Sequence, residues 1–597
     1  MPSTFSGLET ALRALHAQQR ALETVDHNIA NANTEGYSRQ RAIMAATEPY
    51  TVPALNREDS VAQLGTGVEV TEIHRYTSDY LNAQMRAELP RGQRWETIES
   101  AYKQIEVIFN EPSDSGISAA LGRFWQSWSD ATGMPDDLGA RTAVTEAASN
   151  LAFSIRDADS RLRDIQSDMD LQVRQNVARI NDIAVQIAAL NDPISKVQAF
   201  GDQPNDLRDK RDMLLDELSK IVDINYYENS DGTMTVDIGG HALVMGNDYG
   251  QLLVQPDPTN SMRSKVVWAD GQTPLVVHGV PLAGPMSAAN GELVGGTLGG
   301  AIYTRDVVVN DQLAKLDNIA SSLIDAVNQL HAGGFGLPDD SAGSPATPRP
   351  GSALAGTPTL TTPPVSGVVV DNSLYPAALG IGAGHYSVQV SDASGTWRFR
   401  LLDSQGQAVQ INAVAGGGMT DDWQALPSGT FDTGRGFAIQ FSGTPTASGE
   451  VASFDYNNFF KGSSAHDIDV SDWVRNNREN VAMAASGDAA GDGSVALAIS
   501  RLRTKPLLNG FPIDGYYNSV VTDLGLASKQ ASAMVTNSQN LVEHLQTRKD
   551  EVSAVNLDEE TVSLIQYQKA YQGAARVMTA IDDMLDRLIN NTGRVGL

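Results

Sequence analysis

The sequence predicts an α+β multidomain protein, in which the N- and C-terminal segments form a long, coiled-coil-like helical stalk that carries an inserted, mainly β domain. Three observations predict this architecture: seven-residue apolar repeats at both ends, alternating apolar and polar residues in the middle, and a length of 597 residues. A single hydrophobic core seldom grows beyond about 250 to 300 residues, so more than one core is expected.

The first segment has the pattern of one amphipathic helix. Its seven-residue series consists of Leu8, Leu15, Leu22 and Ile29, and a second series three residues later consists of Ala11, Val25 and Ala32, with Gln18 as the polar exception. This pattern is typical of a helix that packs against another helix. Ser6 and Glu9 have the spacing of a capping box, and Gly36 can take the left-handed conformation that closes a helix.

The last segment has the same kind of repeat. One series consists of Leu564, Tyr571, Met578 and Leu585, and the series three residues later consists of Tyr567, Ala574, Ile581 and Leu588. The repeat predicts a helix from Leu557 to Ile589, about 50 Å long, with Asn556 as its N-cap. Because neither terminal helix can bury its stripe alone, we expect them to pack on each other, on neighbouring subunits, or on both.

The interior combines helices and strands. Apolar residues at helical spacing predict helices over roughly Ala148 to Leu190, Asp206 to Val222, Asp311 to Leu330 and Asn518 to Val552. From about Asp223, segments such as "DGTMTVDIGGHALVM" and "HYSVQVSDASGTWRFRLLD" alternate around turn residues and predict strands. The proline-rich stretch from Pro338 to Pro364 predicts a long loop or linker.

These segments predict three domains. The first is an axial core of paired terminal helices, residues 1–40 with 556–597. The second is an α-helical middle domain, residues 41–222 with 470–555. The third is a mainly β outer domain, residues 223–469, which includes a Pro/Gly-rich loop over residues 338–367.

Composition excludes several classes of site and partner. The chain has no cysteine, which excludes disulfides, thiolate metal sites and a cysteine nucleophile. Its net charge of −29 argues against nucleic-acid binding. The sequence contains no run of about 18 apolar residues, so no membrane insertion is expected. The segment "MPSTFSGLETALRALHAQQR" lacks the apolar core of a signal peptide, so we expect a cytoplasmic protein or export without a cleaved signal.

No pattern of catalytic or ligand-binding residues is found. The nine histidines are scattered, and phosphate-loop, dinucleotide and serine-hydrolase motifs are absent. Three acidic clusters have the residue types of a cation site, but each has a better structural explanation. Helix capping explains "NLDEE" at Asn556, a solvated junction explains "HDIDVSD" at His466, and a turn explains "DAAGDGS" at Asp488. We therefore expect no cofactor, no metal and no enzymatic activity.

Both ends of the chain carry a family resemblance. "NIANANTEGYSRQ" at Asn28 to Gln40 resembles the N-terminal signature of bacterial flagellar axial proteins, the group of rod, hook and hook-associated proteins. "LIQYQKAYQGAARVMTAIDDMLDRLIN" resembles the partner segment at their C-terminus. "GYSRQ", "VNLDEE" and "NDLRDKRDMLLDELSKIV" are similar to the members at the junction of hook and filament.

The resemblance implies a structural subunit of the flagellum, an adaptor ring that joins hook to filament and is exported through the type III apparatus to the cell exterior. It implies as partners further copies of the chain, hook protein, a second junction protein (hook-associated protein 3) and an export chaperone at the C-terminal helix. The candidate assembly interface consists of Leu8, Leu15, Leu22, Ile29, Asn31, Asn33, Gly36, Tyr37, Leu564, Tyr567, Tyr571, Met578, Ile581, Leu585 and Leu588.

Two alternatives remain at this point. Another axial protein, such as hook protein, has related ends, and an extracellular glycan hydrolase would need paired carboxylates across a cleft of the β region. A narrower question concerns Tyr37 to Gln40, which either contact a neighbouring subunit or only guide the chain outward after the first helix.

Overall fold

The structure, a computed structural model, describes residues 6–49, 65–277, 280–281, 294–337, 368–371, 384–393, 396–402, 407–412, 419–425, 430–432, 438–441, 451–456, 458–485 and 489–591. The chain divides into two compact units. Residues 1–99, 168–307 and 530–597 form the first unit, and residues 100–167 and 308–529 form the second. The sequence-based division into three domains stays a prediction.

Helices dominate both units. They are α1 (Ser6–Ala30), α2 (Asp79–Phe109), α3 (Ile117–Ala131), α4 (Leu138–Ala199), α5 (Asn205–Ile221), α6 (Gly296–Tyr303), α7 (Val309–His331), α8 (Asp472–Asn476), α9 (Ser494–Ser500), α10 (Ile513–Ser553) and α11 (Leu557–Asn591). A π-helical turn, Thr304–Val308, follows α6.

The helices predicted from periodicity are present. Both terminal helices form, and α4, α5, α7 and α10 cover the four predicted internal segments. One detail is wrong: α1 ends at Ala30, so Gly36 does not close it. Gly36 does have a positive φ of 75°, but it lies in the turn beyond the helix.

The first unit combines α1, α5, α6 and α11 with short antiparallel sheets. Strands β1 (Gln40–Ala46) and β2 (Val68–Arg75) form a ribbon that packs on α1. The strands β3 (Asn225–Glu228), β4 (Met234–Ile238), β5 (His241–Met245) and β6 (Asp248–Tyr249) pair in chain order. Two further pairs are β7 (Leu252–Asp257) with β8 (Arg263–Trp268), and β9 (Val276–Val277) with β10 (Val280–Pro281).

The second unit contains the remaining strands. One sheet has the order β16 (Gln424–Ala425), β13 (Thr396–Leu402), β12 (Gly384–Ala393), β19 (Val451–Tyr456), and another has β11 (Val368–Asp371), β18 (Ala438–Phe441), β17 (Thr430–Asp432). Two pairs are β14 (Ile411–Asn412) with β15 (Met419–Thr420), and β20 (Phe460–Lys461) with β21 (Asp469–Val470).

The predicted alternation in this unit is confirmed where it is described. Val388 and Val390 of β12 lie opposite Leu401 and Phe399 of β13, and all four are fully buried. Gly395, which lies between the two alternating halves of "HYSVQVSDASGTWRFRLLD", and the proline-rich stretch from Pro338 to Pro364 lie outside the described residues.

An aromatic cluster fills the helical part of the second unit. Phe124 and Trp128 of α3 are fully buried and contact Phe459, whose ring centroid lies 5.2 Å from that of Trp128. His331, at the end of α7, joins the cluster, and its Nε2 accepts the backbone N–H of Ala482 at 2.9 Å. Aromatic side chains bury a large apolar area each, so this cluster contributes strongly to the core of the second unit.

Neither a membrane span nor a metal centre is found among the described residues. No described helix has the length and hydropathy needed to cross a bilayer. No three histidine or carboxylate side chains of the described segments are grouped so that they could hold a metal ion.

Candidate functional site: the joint of the terminal helices

The two terminal helices pack against each other in antiparallel orientation. A Cβ on Gly7 would lie 3.2 Å from Ile581, and Asn28 hydrogen-bonds to Glu560. The register is regular, because 21 residues separate the two contacts on each helix, from Gly7 to Asn28 and from Glu560 to Ile581. A helix pair with seven-residue repeats keeps its partner faces together over this length.

The predicted seam is only partly buried within one chain. The side chains of Leu8, Leu15, Leu22 and Ile29 are half-buried, as are those of Leu564, Tyr567, Met578, Ile581 and Leu585. Tyr571 is 38% exposed, and the side chain of Leu588 lies outside the described residues. The fully buried positions of α1 are instead Ala11, Ala17, Ala21, Thr24, Val25 and Asn28. The candidate assembly interface stays a prediction.

Asn28 is the centre of a polar cluster that we call the joint, made of Asn28, Tyr37, Arg39, Gln40 and Glu560. Its amide is fully buried and donates to the backbone carbonyl of Gln40 at 2.8 Å and to Oε2 of Glu560 at 3.0 Å. Its oxygen accepts the hydroxyl of Tyr37 at 2.7 Å and the backbone N–H of Gln40 at 3.0 Å. All four hydrogen-bonding positions of the amide are therefore used.

Arg39 and Glu560 complete the joint. Arg39 Nε donates to Oε1 of Glu560 at 2.7 Å, and Nη1 donates to Oε2 of Glu559 at 2.8 Å. The backbone N–H of Arg39 donates to the carbonyl of Ser553 at 2.8 Å. Glu560 is only 2% exposed, so its charge is balanced by Arg39 inside the fold.

This arrangement corrects the interpretation of "NLDEE". Asn556 does cap α11, because its side chain accepts the N–H groups of Asp558 and Glu559. Capping does not account for Glu560, which faces α1 and binds both Asn28 and Arg39. The pattern missed this role because the partners lie more than 500 residues away in the chain.

A row of carboxylates on α5 holds the joint to the rest of the first unit. Asp206, Asp209, Asp212 and Asp216 are spaced three or four residues apart and so lie on one face. Asp206 accepts Gln40 Nε2 at 2.8 Å, and Asp209 accepts the backbone N–H of Ser38 at 2.9 Å. The row continues through ion pairs with Arg75, Arg86 and Lys549, which belong to β2, α2 and α10.

Burial and ion pairing shift the pKa of several groups here. Burial tends to raise the pKa of Asp212, but the guanidinium groups of Arg86 and Arg75 lower it below its ordinary value. For Asp209 burial dominates, and its pKa is raised. Burial and the charges of Asp206, Asp209 and Glu560 raise the pKa of Tyr37, so its phenol keeps the proton that it donates to Asn28.

The other predicted residues of the loop after α1 lie outside the joint. Asn31 is half-buried and donates to the carbonyl of His27 at 3.0 Å, whereas Asn33 is exposed. Gly36 is exposed but lies against α5, because a Cβ at its position would be 2.3 Å from Met213 Sδ. Within one chain, Tyr37 to Gln40 contact α1, α5 and α11, and Gln40 begins β1.

Asn28 was missed as a site residue. A signal for it exists in the sequence, because Asn28 continues the buried stripe of Ala21, Thr24 and Val25 at helical spacing. A polar residue in such a stripe predicts a buried hydrogen-bonding partner.

The other acidic clusters are explained by local contacts. In "HDIDVSD", His466 Nδ1 lies 3.0 Å from Asp159 Oδ2, and Asp469 forms an ion pair with Arg475. Asp467 accepts the N–H groups of a turn. In the described part of "DAAGDGS", Asp492 accepts the N–H groups of Ala485 and Ser494. Side-chain contacts and turn hydrogen bonds therefore explain these two clusters.

Three family models match the chain. Residues 102–346 match the flagellar hook-associated protein FlgK helical domain. The ends match two further models, the flagella basal body rod protein over residues 8–37 and the flagellar basal body rod FlgEFG protein C-terminal region over residues 548–591. The two terminal matches include Asn28, Tyr37 and Glu560 of the joint, and the N-terminal match ends before Arg39 and Gln40.

Curated relatives match over almost the whole chain. Flagellar hook-associated protein 1 of Bacillus subtilis is 28% identical over 99% of both chains. The protein of the same name from Escherichia coli is 26% identical over 98% of this chain and 99% of its own. The Salmonella typhimurium protein is 27% identical over 97% of this chain and 98% of its own.

The fold is also similar to that of a solved structure. The flagellar hook junction protein FlgK from Burkholderia pseudomallei aligns with a TM-score of 0.51 and 17% identity, over 79% of this chain and all of the solved one. The family models and the full-length relatives together show that the chain is similar to flagellar hook-associated protein 1 and, at both ends, to the flagellar basal body rod proteins, and the solved structure shows a similar fold.

Proposed function

We propose that the chain is a structural subunit of the bacterial flagellum, an adaptor that joins hook to filament through packing of its terminal helices. The observation that supports this most directly is the joint, which fixes two heptad-repeat helices side by side while much of α11 stays accessible. The relatives of this length are hook-associated proteins and not hook proteins, which disfavours the first alternative. None of these relatives is named as an enzyme.

The exposed surface of α11 supports assembly with other subunits. A helix with apolar residues on two sides cannot bury both against one partner helix. Val562, Ile565, Val577 and Met584 are each more than half exposed, on the side away from Glu560. Further copies in a ring, hook protein and hook-associated protein 3 are the partners that would cover them. Before assembly, an export chaperone at α11 would shield the same surface.

The proposed location is the cell exterior, at the tip of the hook. Export through the flagellum's own type III channel, without a cleaved signal peptide, would bring the subunit there. In this proposal the terminal helices pack fully only when they meet neighbouring subunits, so binding drives their final ordering.

A charge in the seam tests the proposal. Leu22→Glu or Leu585→Glu places a carboxylate at a half-buried position of the helix pair. We expect the variant to be secreted but not incorporated, measured by labelling the hook tip and by assaying the culture medium. Leu541→Glu is the control, because Leu541 is 44% exposed on α10. Normal incorporation of both seam variants would show that the seam assignment is wrong.

A further inference from the structure

The outer face of α11 is apolar, and in the middle of the helix it also carries two cations. Val562, Ile565, Val577 and Met584 are 51 to 56% exposed. At about 100° per residue they lie within roughly a third of the helix circumference. Such a face is not needed to hold α1, which contacts the opposite side through Glu560.

The charge of this segment differs from that of the whole chain. From Thr561 to Ile581 the sequence contains Lys569 and Arg576 and no acidic residue, in a chain of net charge −29. Both cations are exposed, and by helical spacing both lie on the side of Ile565 and Val577. The outer face therefore favours an acidic, partly apolar partner surface.

The first unit contains a groove with those properties. It has a volume of about 1640 Å³ and lies between α2, α4, α5, α10 and the loop after α1. Its apolar lining includes Met85, Leu89, Leu190, Met213, Leu214 and Val542. Met213 is 39% exposed, so part of this apolar lining is open to solvent.

Acidic side chains outnumber basic ones around the groove. Six carboxylates and three lysines line it, which gives the surface a net negative charge. Glu35, Glu96, Glu543 and Asp550 are exposed there. These carboxylates complement Lys569 and Arg576 of α11 in sign.

The volume of the groove also fits a helix. A helix about 11 Å wide with a rise of 1.5 Å per residue occupies roughly 140 Å³ per residue. The volume of the groove therefore equals that of about eleven helical residues, or three turns. This is close to the length of the segment from Ile565 to Val577.

We propose that the outer face of α11 from a second copy of this chain occupies the groove. This inference rests on the proposed function, because it names the surface through which neighbouring subunits contact each other. Donor helix and acceptor groove are different surfaces of one chain, so the contact is head-to-tail. Repeated head-to-tail contacts produce a ring or a helical array and not a closed dimer.

Cysteine cross-linking tests the contact, since the chain has no cysteine of its own. Ile565→Cys places a thiol on the donor face, and Glu543→Cys places one in the groove. The matched control is Leu541→Cys, which is exposed on another side of α10, two residues from Glu543. All three positions are exposed, so we expect each variant to fold like the native chain.

The experiment uses flagella isolated from cells that produce two full-length variants together. We expect Ile565→Cys with Glu543→Cys to give an intermolecular disulfide at least tenfold more often than Ile565→Cys with Leu541→Cys. Equal yields, or no disulfide in flagella that carry the label at the hook tip, would overturn the groove contact alone. Disulfides between two copies of Ile565→Cys would also overturn it, because the outer faces would then pair with each other. Absence of the label from the hook tip would instead refute the proposed function.

Discussion

At the scale of single residues, Asn28 sets the register of the terminal helices. A slip of one heptad would leave apolar residues facing each other, so the seam alone does not exclude it. The same slip would separate Asn28 from Glu560 and leave a buried amide and a buried carboxylate without each other. The polar pair therefore specifies one alignment that apolar packing leaves open.

Replacing Asn28 should loosen the helix pair. Asn28→Ala removes four hydrogen bonds and leaves Glu560 and the backbone of Gln40 short of partners, which we expect to cost about 2 to 4 kcal/mol. Hydrogen exchange of the amides of α1 measures this loss as faster local opening. Asn33→Ala, at an exposed position of the same loop, should change exchange little. Similar effects of both substitutions would argue against the role of Asn28.

Asp212 makes the same region sensitive to acid. Its pKa is lowered in the folded chain, so its contribution to stability is present above the pKa of an unfolded aspartate, about 4, and is lost as pH falls through the folded value. Thermal unfolding between pH 7 and pH 3 should show a smaller acid loss for Asp212→Asn than for the native chain. At pH 7 the variant should be less stable by about 1 to 3 kcal/mol. An unchanged pH profile would contradict the assignment.

At the scale of elements, α1 depends on a partner from the other end of the chain. Three of its six buried residues are alanine and only one is a larger apolar residue, so it gains little from burial on its own. Contacts with the β1–β2 ribbon and α11 supply the remaining stabilisation of α1. Many residues of α4 and α5 are instead buried without a terminal helix, and Asn191 of α4 contacts both Arg211 of α5 and Met234 of β4.

Removal of α11 should therefore affect α1 selectively. In a chain that ends at Ser553, the amides of α1 lose their helical partner and the joint loses Glu560. We expect hydrogen exchange in α1 to rise towards that of an unfolded segment, while α4 and α5 stay protected. Equal protection of α1 with and without α11 would mean that the ribbon alone holds it.

Local sequence patterns predict the terminal helices but not every helix of the interior. Heptad spacing predicts the terminal helices because the helical repeat and the apolar repeat are both local. The same spacing misses α2, whose segment "LPRGQRW" suggests a break. Pro90 nevertheless lies inside the helix, and Gly92 lets α10 come close, since a Cβ there would be 2.7 Å from Ser538 Oγ.

The joint could be predicted only in part, because some of its contacts depend on neighbours in sequence and others on distant residues. Helix endings place Asn556 and the loop from Asn28 to Gln40 correctly near helix termini, since capping depends on neighbours in sequence. Which carboxylate meets Asn28 depends on how two distant helices align. Glu560 is buried and Glu559 is exposed, although both follow the same cap.

At the scale of the whole molecule, two compact units predict more than one unfolding transition. Trp128→Ala removes a fully buried side chain from the aromatic cluster of the second unit and should cost about 3 to 5 kcal/mol there. Calorimetry should show one transition at lower temperature and another unchanged, with the exchange of α1 amides unaltered. A single cooperative transition that shifts as a whole would show that the units unfold together.

The Asn28–Glu560 hydrogen bond also has a consequence for the timing of folding. The two residues are 532 positions apart, so the N-terminal helix is synthesised long before the carboxylate that it binds. At about 5 to 20 residues per second, roughly half a minute to two minutes pass between them. During this interval α1 is a nascent segment with an unpaired asparagine on its apolar side. The helix pair therefore closes only after almost the entire polypeptide has been made, which makes its formation a late event in the life of each molecule.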